Sequence, residues 1–100
     1  MKYYYHATSF DNLGSILCNG ISPGPDGLVY MCDNPKDSLK FLYIRRIRQI
    51  LVCKIKILKQ DESNIIETFD HSKAFFKCRA FGYKGVITTD KIADYIKYEL

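Results

Sequence analysis

The sequence lacks several features that would narrow its chemistry at once. Its four cysteines, Cys18, Cys32, Cys53 and Cys78, form no Cys-x-x-Cys pair, which argues against a zinc knuckle and a thioredoxin-type centre. They read instead as reduced and mostly buried thiols. His6 and His71 are the only histidines, and with the scattered carboxylates they show no metal-ligand spacing, so no metal is expected. No apolar run approaches the ~18 residues of a membrane helix and no signal peptide opens the chain, so a cytoplasmic protein is expected. Repeats, linkers and low-complexity tracts are also missing. A chain of 100 residues therefore reads as one domain spanning 1–100, with no separate regulatory module. Apolar residues make up 47% of it, enough for an ordinary core and too many for disorder. The net charge of +4 is compatible with acidic partners or nucleic acid, and equally with a solvated lysine surface.

Hydrophobic periodicity supplies the elements. Tyr3 to His6 is β-prone and aromatic. Thr8 or Ser9 can cap a following helix, in which Leu13, Ile16 and Leu17 fall at helical spacing and Asn19-Gly20 makes the stop. Ser22 to Gly27 is rich in turn residues, and Leu28 to Cys32 reads as a strand. A second helix starts at Asp33-Asn34-Pro35 and carries an apolar stripe through Leu39, Leu42 or Tyr43, Ile47 and Ile50, with Lys36, Lys40, Arg45 and Arg48 on its other face. From Leu51 to Lys59 the period becomes two, with Cys53, Ile55 and Ile57 opposed to Lys54 and Lys56. Gln60 to Asn64 is a polar loop. Ile65 to Phe69, Ala74 to Ala80 and Gly85 to Thr88 are further strand candidates, and Ile92 to Tyr98 closes the chain as a strand or short helix. The sum is an α+β fold with a mainly antiparallel sheet and two helices.

Two segments carry a resemblance. Tyr5-His6-Ala7-Thr8 followed by a short helix ending in Gly20-Ile21 resembles the opening of the ADP-ribosyltransferase-like fold, whose poly(ADP-ribose) polymerase and diphtheria-toxin type members begin their site with a related His-x-Thr. Gly27-Leu28-Val29-Tyr30-Met31-Cys32-Asp33 and the helix after it look like the family's Gly-Ile-Tyr-Phe-Ala-Asp segment. There a strand tyrosine and an aromatic eleven residues later sandwich the nicotinamide ring, a spacing matched by Tyr30 and Phe41. Offset stacking on two aromatic faces would hold the ring in the conformation from which it leaves. The resemblance implies NAD as substrate, bound by His6, Ala7, Thr8, Tyr30 and Phe41, with His6 on the adenosine ribose and with mono-ADP-ribosylation of a protein or nucleic acid as the activity. Ordinary core packing is the alternative for Tyr30 and for Phe41.

The C-terminal segment Phe81-Gly82-Tyr83-Lys84-Gly85-Val86-Ile87 resembles the family's closing strand and loop but departs from it at one place. Where the polymerase-type enzymes carry a catalytic glutamate, this chain has Tyr83 or Lys84. That carboxylate stabilises an oxocarbenium-like transition state, a role that a lysine cation would oppose. Glu67 on the preceding strand is the candidate replacement, so that His6, Tyr30 and Glu67 form the expected catalytic set; an exposed strand glutamate is the other reading of Glu67. Lys84-Gly85-Val86-Ile87-Thr88 is also similar to the RNA 2'-phosphotransferases, in which arginines hold a phosphate, and Arg79 is the one arginine near the end. A non-catalytic derivative that binds NAD, ADP-ribose or a macromolecule is a further alternative.

Other motifs point less far. Asp70-His71-Ser72 is no Ser-His-Asp triad, because adjacent residues on an extended chain point in alternating directions; it reads as a turn. Arg45, Arg46 and Arg48, with Lys54 and Lys56, could make a basic face for a protein or nucleic-acid acceptor, to which Tyr3 or Tyr4 would add stacking. A solvated exterior has the same signature.

Overall fold

Alternation along the first strand sets out the architecture: Tyr4 enters the larger apolar cluster on one side, while Tyr5 and Ala7 pack into a smaller cluster on the other. The computed structural model describes residues 2–43, 46–68 and 80–99, and only the backbone of Asp37, Lys40, Phe41, Tyr43 and Thr68. Within these, six strands form one antiparallel sheet: β1 (Lys2–Ser9), β2 (Leu28–Cys32), β3 (Gln49–Ile57), β4 (Ile65–Thr68), β5 (Ala80–Lys84) and β6 (Ile92–Glu99), in the order β4-β5-β2-β1-β3-β6. Helix α1 (Leu13–Asn19) covers one face through Leu13 and Ile16. Helix α2 (Pro35–Tyr43) covers part of the other through Leu39 and Leu42.

β3 shows why the fold is stable. Leu51, Cys53, Ile55 and Ile57 are fully buried on the α1 face, while Ile50 and Val52 fill the α2 face and Lys54 and Lys56 continue that face beyond the helix. Eight consecutive registered pairs, Lys2↔Ile57 to Ser9↔Ile50, join β3 to β1. On its far side β3 pairs with β6 from Gln49↔Glu99 onward, with a register shift between Lys54 and Ile55. The last segment, open between strand and helix on sequence alone, is therefore the strand β6.

Of the two capping candidates Ser9 takes the role, its Oγ accepting the Asp11 N–H at 3.4 Å at the 3-10 turn Phe10–Asn12. Three expectations need correction. The second helix ends at Tyr43 instead of running to Ile50. Arg46 adopts φ +61°, Ile47 N–H donates to the Leu42 carbonyl at 3.1 Å, and Ile50 already belongs to β3. Ile47 and Ile50 pack in the same cluster as Leu42, so burial continued the apolar stripe after the helix had stopped. Gly85 to Thr88 is a turn with one bridge, Ile21↔Ile87, because Gly85 sits at φ +96°. Finally, Lys59–Asn64 is a 3-10 turn; the buried Asp61 organises it by accepting the Leu58 N–H at 3.2 Å and pairing with Lys91 at 3.6 Å. The strand expected over Ala74 to Ala80 lies outside the described residues except for Ala80, which opens β5. Asp70-His71-Ser72 lies outside them too.

Candidate functional site

β1 and β2 are neighbours in the sheet but share a single registered pair, Tyr5↔Cys32. A cleft of about 410 Å³ opens beside it, lined by Tyr5, His6 and Ala7 of β1, by all of β2, by Ser22 and Gly24, by Ser38 and Leu42 of α2, and by Ala80 of β5. Its lining takes residues from both strands and from α2, and none from α1, so the cleft opens on the α2 side of the sheet.

His6 bridges this split. Its Nδ1 lies 2.7 Å from the Tyr30 carbonyl oxygen. A carbonyl only accepts, so Nδ1 is the protonated nitrogen and Nε2 keeps its lone pair. Burial lowers the His6 pKa below the ordinary 6.5, and the bond to the Tyr30 carbonyl opposes this only in part. The ring is therefore chiefly neutral at pH 7 and offers Nε2 as an acceptor to a hydroxyl or amide donor.

The Tyr30 side chain also lines the cleft and is 44% exposed. Its hydroxyl donates to the Asp26 carboxylate, whose Oδ1 accepts the Leu28 N–H at 3.1 Å. The Tyr30 hydroxyl and then the Leu28 N–H hold the Asp26 pKa below the usual carboxylate range. Asp26 was not singled out from the sequence, where it is one turn former among several; the signal that could have found it is its four-residue spacing from Tyr30. Ser38 is the buried polar group of the helical wall, and its hydroxyl donates to the Pro35 carbonyl at 2.6 Å.

The other expected residues are more dispersed. Ala7 lines the cleft, but Thr8 stands beyond it, its Oγ1 accepting from the Asn12 side chain at 2.8 Å. Phe41 belongs to α2, one residue before Leu42, and its side chain lies outside the described residues, as does Arg79. Glu67 is exposed on the edge strand β4, opposite Phe81, which in turn faces Met31. It thus stands two strands, ~10 Å, from β2 and does not line the cleft. Tyr30 is aligned with Gly82 and Ile66, so Tyr30 and Glu67 project from opposite faces of the sheet.

Arg46 and Arg48 do not belong to the second helix, which spans Pro35–Tyr43. Arg46 and Arg48 are exposed in the segment between α2 and β3, and Arg45 lies outside the described residues. Lys54 sits over the Tyr3 ring, 4.3 Å from its centroid, and Lys56 is registered opposite Tyr3. Among the described residues, no helix is long and apolar enough to cross a membrane. No protein-family model and no curated protein matches this chain.

Proposed function

We propose that this chain is a minimal ADP-ribosyltransferase-like domain that takes NAD into the cleft between β1 and β2. The observation that carries the reading is that His6 and Tyr30, distant in sequence, both line one cleft, where the His6 ring bonds the Tyr30 main-chain carbonyl. These are the two residues at which the sequence resembles the family's site. A neutral imidazole with Nε2 free to accept suits a ribose hydroxyl, and a half-exposed tyrosine ring suits a flat nicotinamide. The cleft volume falls within the ~300–1,000 Å³ of small-molecule sites.

Turnover would break the bond between the nicotinamide nitrogen and ribose C1', with the electron pair leaving on nicotinamide. A protein or nucleic-acid nucleophile would then bond to C1' and give up its proton. The positive charge that develops on the ribose needs a carboxylate. Because Glu67 stands on the edge strand, away from the cleft, the arrangement favours the second reading within the same fold, a domain that binds NAD or ADP-ribose without cleaving it.

The test is proton NMR of NAD mixed with the protein, following saturation transfer to the ligand and release of free nicotinamide. Saturation transfer that is lost in His6→Ala, with the variant still folded, is the expected result. Equal transfer in His6→Ala, or none in the wild type, would overturn the assignment. Nicotinamide release would make the chain an enzyme, whereas binding alone would make it a module.

A further inference from the structure

The strongest unassigned feature is the contact between Asp26 and Tyr30 at the cleft wall, and we propose that Asp26 is a positioning residue that fixes the Tyr30 ring in the orientation presented to the nicotinamide. This deepens the NAD reading and rests on it.

A tyrosine exposed by 44% is ordinarily free to change rotamer on a fast timescale, and a ring that must first be immobilised binds a flat ligand less tightly. Here the hydroxyl is tethered to a carboxylate that is itself anchored, since Asp26 Oδ1 accepts the Leu28 N–H at 3.1 Å. The loop behind it is closed as well. Gly24 N–H donates to the Leu28 carbonyl at 3.0 Å, Gly27 N–H to the Gly24 carbonyl at 2.9 Å, and Gly85 N–H to the Gly27 carbonyl at 3.1 Å. The start of β2 and the turn after β5 thus both hold the segment that carries Asp26. At its other end Tyr30 is fixed through its main chain, whose carbonyl accepts from His6. The residue is thus held at its backbone by His6 and at its hydroxyl by the loop.

Two variants separate the tether from the ring. Tyr30→Phe keeps the ring and the loop but removes the hydroxyl; Asp26→Ala removes the acceptor. Each should weaken NAD binding about three- to tenfold, and the double variant should be no weaker than either single one. ADP-ribose has no nicotinamide, so its affinity should change by less than about twofold in all three. A general loss of fold would weaken both ligands together. In the ligand-free protein, labelled tyrosine rings should show the Tyr30 resonance, assigned by its absence in Tyr30→Phe, losing its contacts to the Asp26 loop in Asp26→Ala. Equal weakening of NAD and ADP-ribose, additive losses in the double variant, or a Tyr30 ring unchanged in Asp26→Ala would each overturn the proposal. Failure of the wild type to bind NAD would instead overturn the nucleotide reading, and the ring measurement would still decide whether Asp26 holds Tyr30.

Discussion

At the scale of single residues, His6 is where packing and chemistry meet. Burial depresses its pKa, so between the folded value and 6.5 the unfolded chain binds a proton that the folded chain refuses. Its contribution is complete above pH 6.5 and is lost as pH falls below it. Chemical denaturation at pH 7.5 and 5.5 should show lower stability at the acid end, with a slope of at most ~1.4 kcal/mol per pH unit from this one group. His6→Gln should remove that component, and an identical slope in both proteins would show that His6 is not its source. Cys53 illustrates the inert case. Burial pushes its thiol up to about 11, so it stays protonated and serves as a small apolar side chain beside Leu51 and Ile55 in the core.

Turns set the next scale, because they decide where each element stops. Gly20 ends α1 at φ +77° and hands the chain to the Ile21↔Ile87 bridge, with Ile21 N–H donating to Ile87 O at 2.8 Å and Ile87 N–H returning to Ile21 O at 2.9 Å. An added Cβ would run into the Ile87 carbonyl oxygen. Gly20→Ala therefore carries the cost of a positive-φ, extended-ψ backbone that side chains disfavour, ~1–3 kcal/mol, together with a backbone clash, and its denaturation midpoint should fall by more than that cost alone. Gly27→Ala, also at positive φ but with open space around the new methyl, should lose only the backbone part. The Asn19-Gly20 stop was legible in the sequence because glycine marks such ends. The end of α2 was not, since Arg46 has no local signal for a left-handed turn and the apolar spacing continues into β3.

Across the whole molecule, the strand order separates the expected catalytic set. His6 and Tyr30 come together because β1 and β2 are adjacent and splay after one registered pair, while β5 stands between β2 and the strand that carries Glu67. Glu67→Gln is accordingly expected to leave NAD affinity within about twofold and any nicotinamide release unchanged. NMR of NAD with both proteins checks this, and loss of release in the variant would mean that Glu67 reaches the reacting ribose. No spacing in the sequence bears on this point, since the separation of Tyr30 and Glu67 depends on which strand β5 chooses as its neighbour.

The sequence by itself determined the local items: a period-two strand, read from Leu51 to Lys59 and ending at Ile57, the β2 strand, the glycine stop at Gly20 and the α+β class. Each depends on neighbours a few positions away, through side-chain alternation, capping or backbone freedom. The tertiary structure alone decided the split between β1 and β2, the lowered pKa of His6, the tether from Asp26 to Tyr30 and the remoteness of Glu67. Those depend on which strands lie side by side and on what their packing removes from water, and both are settled by contacts between residues far apart in the chain.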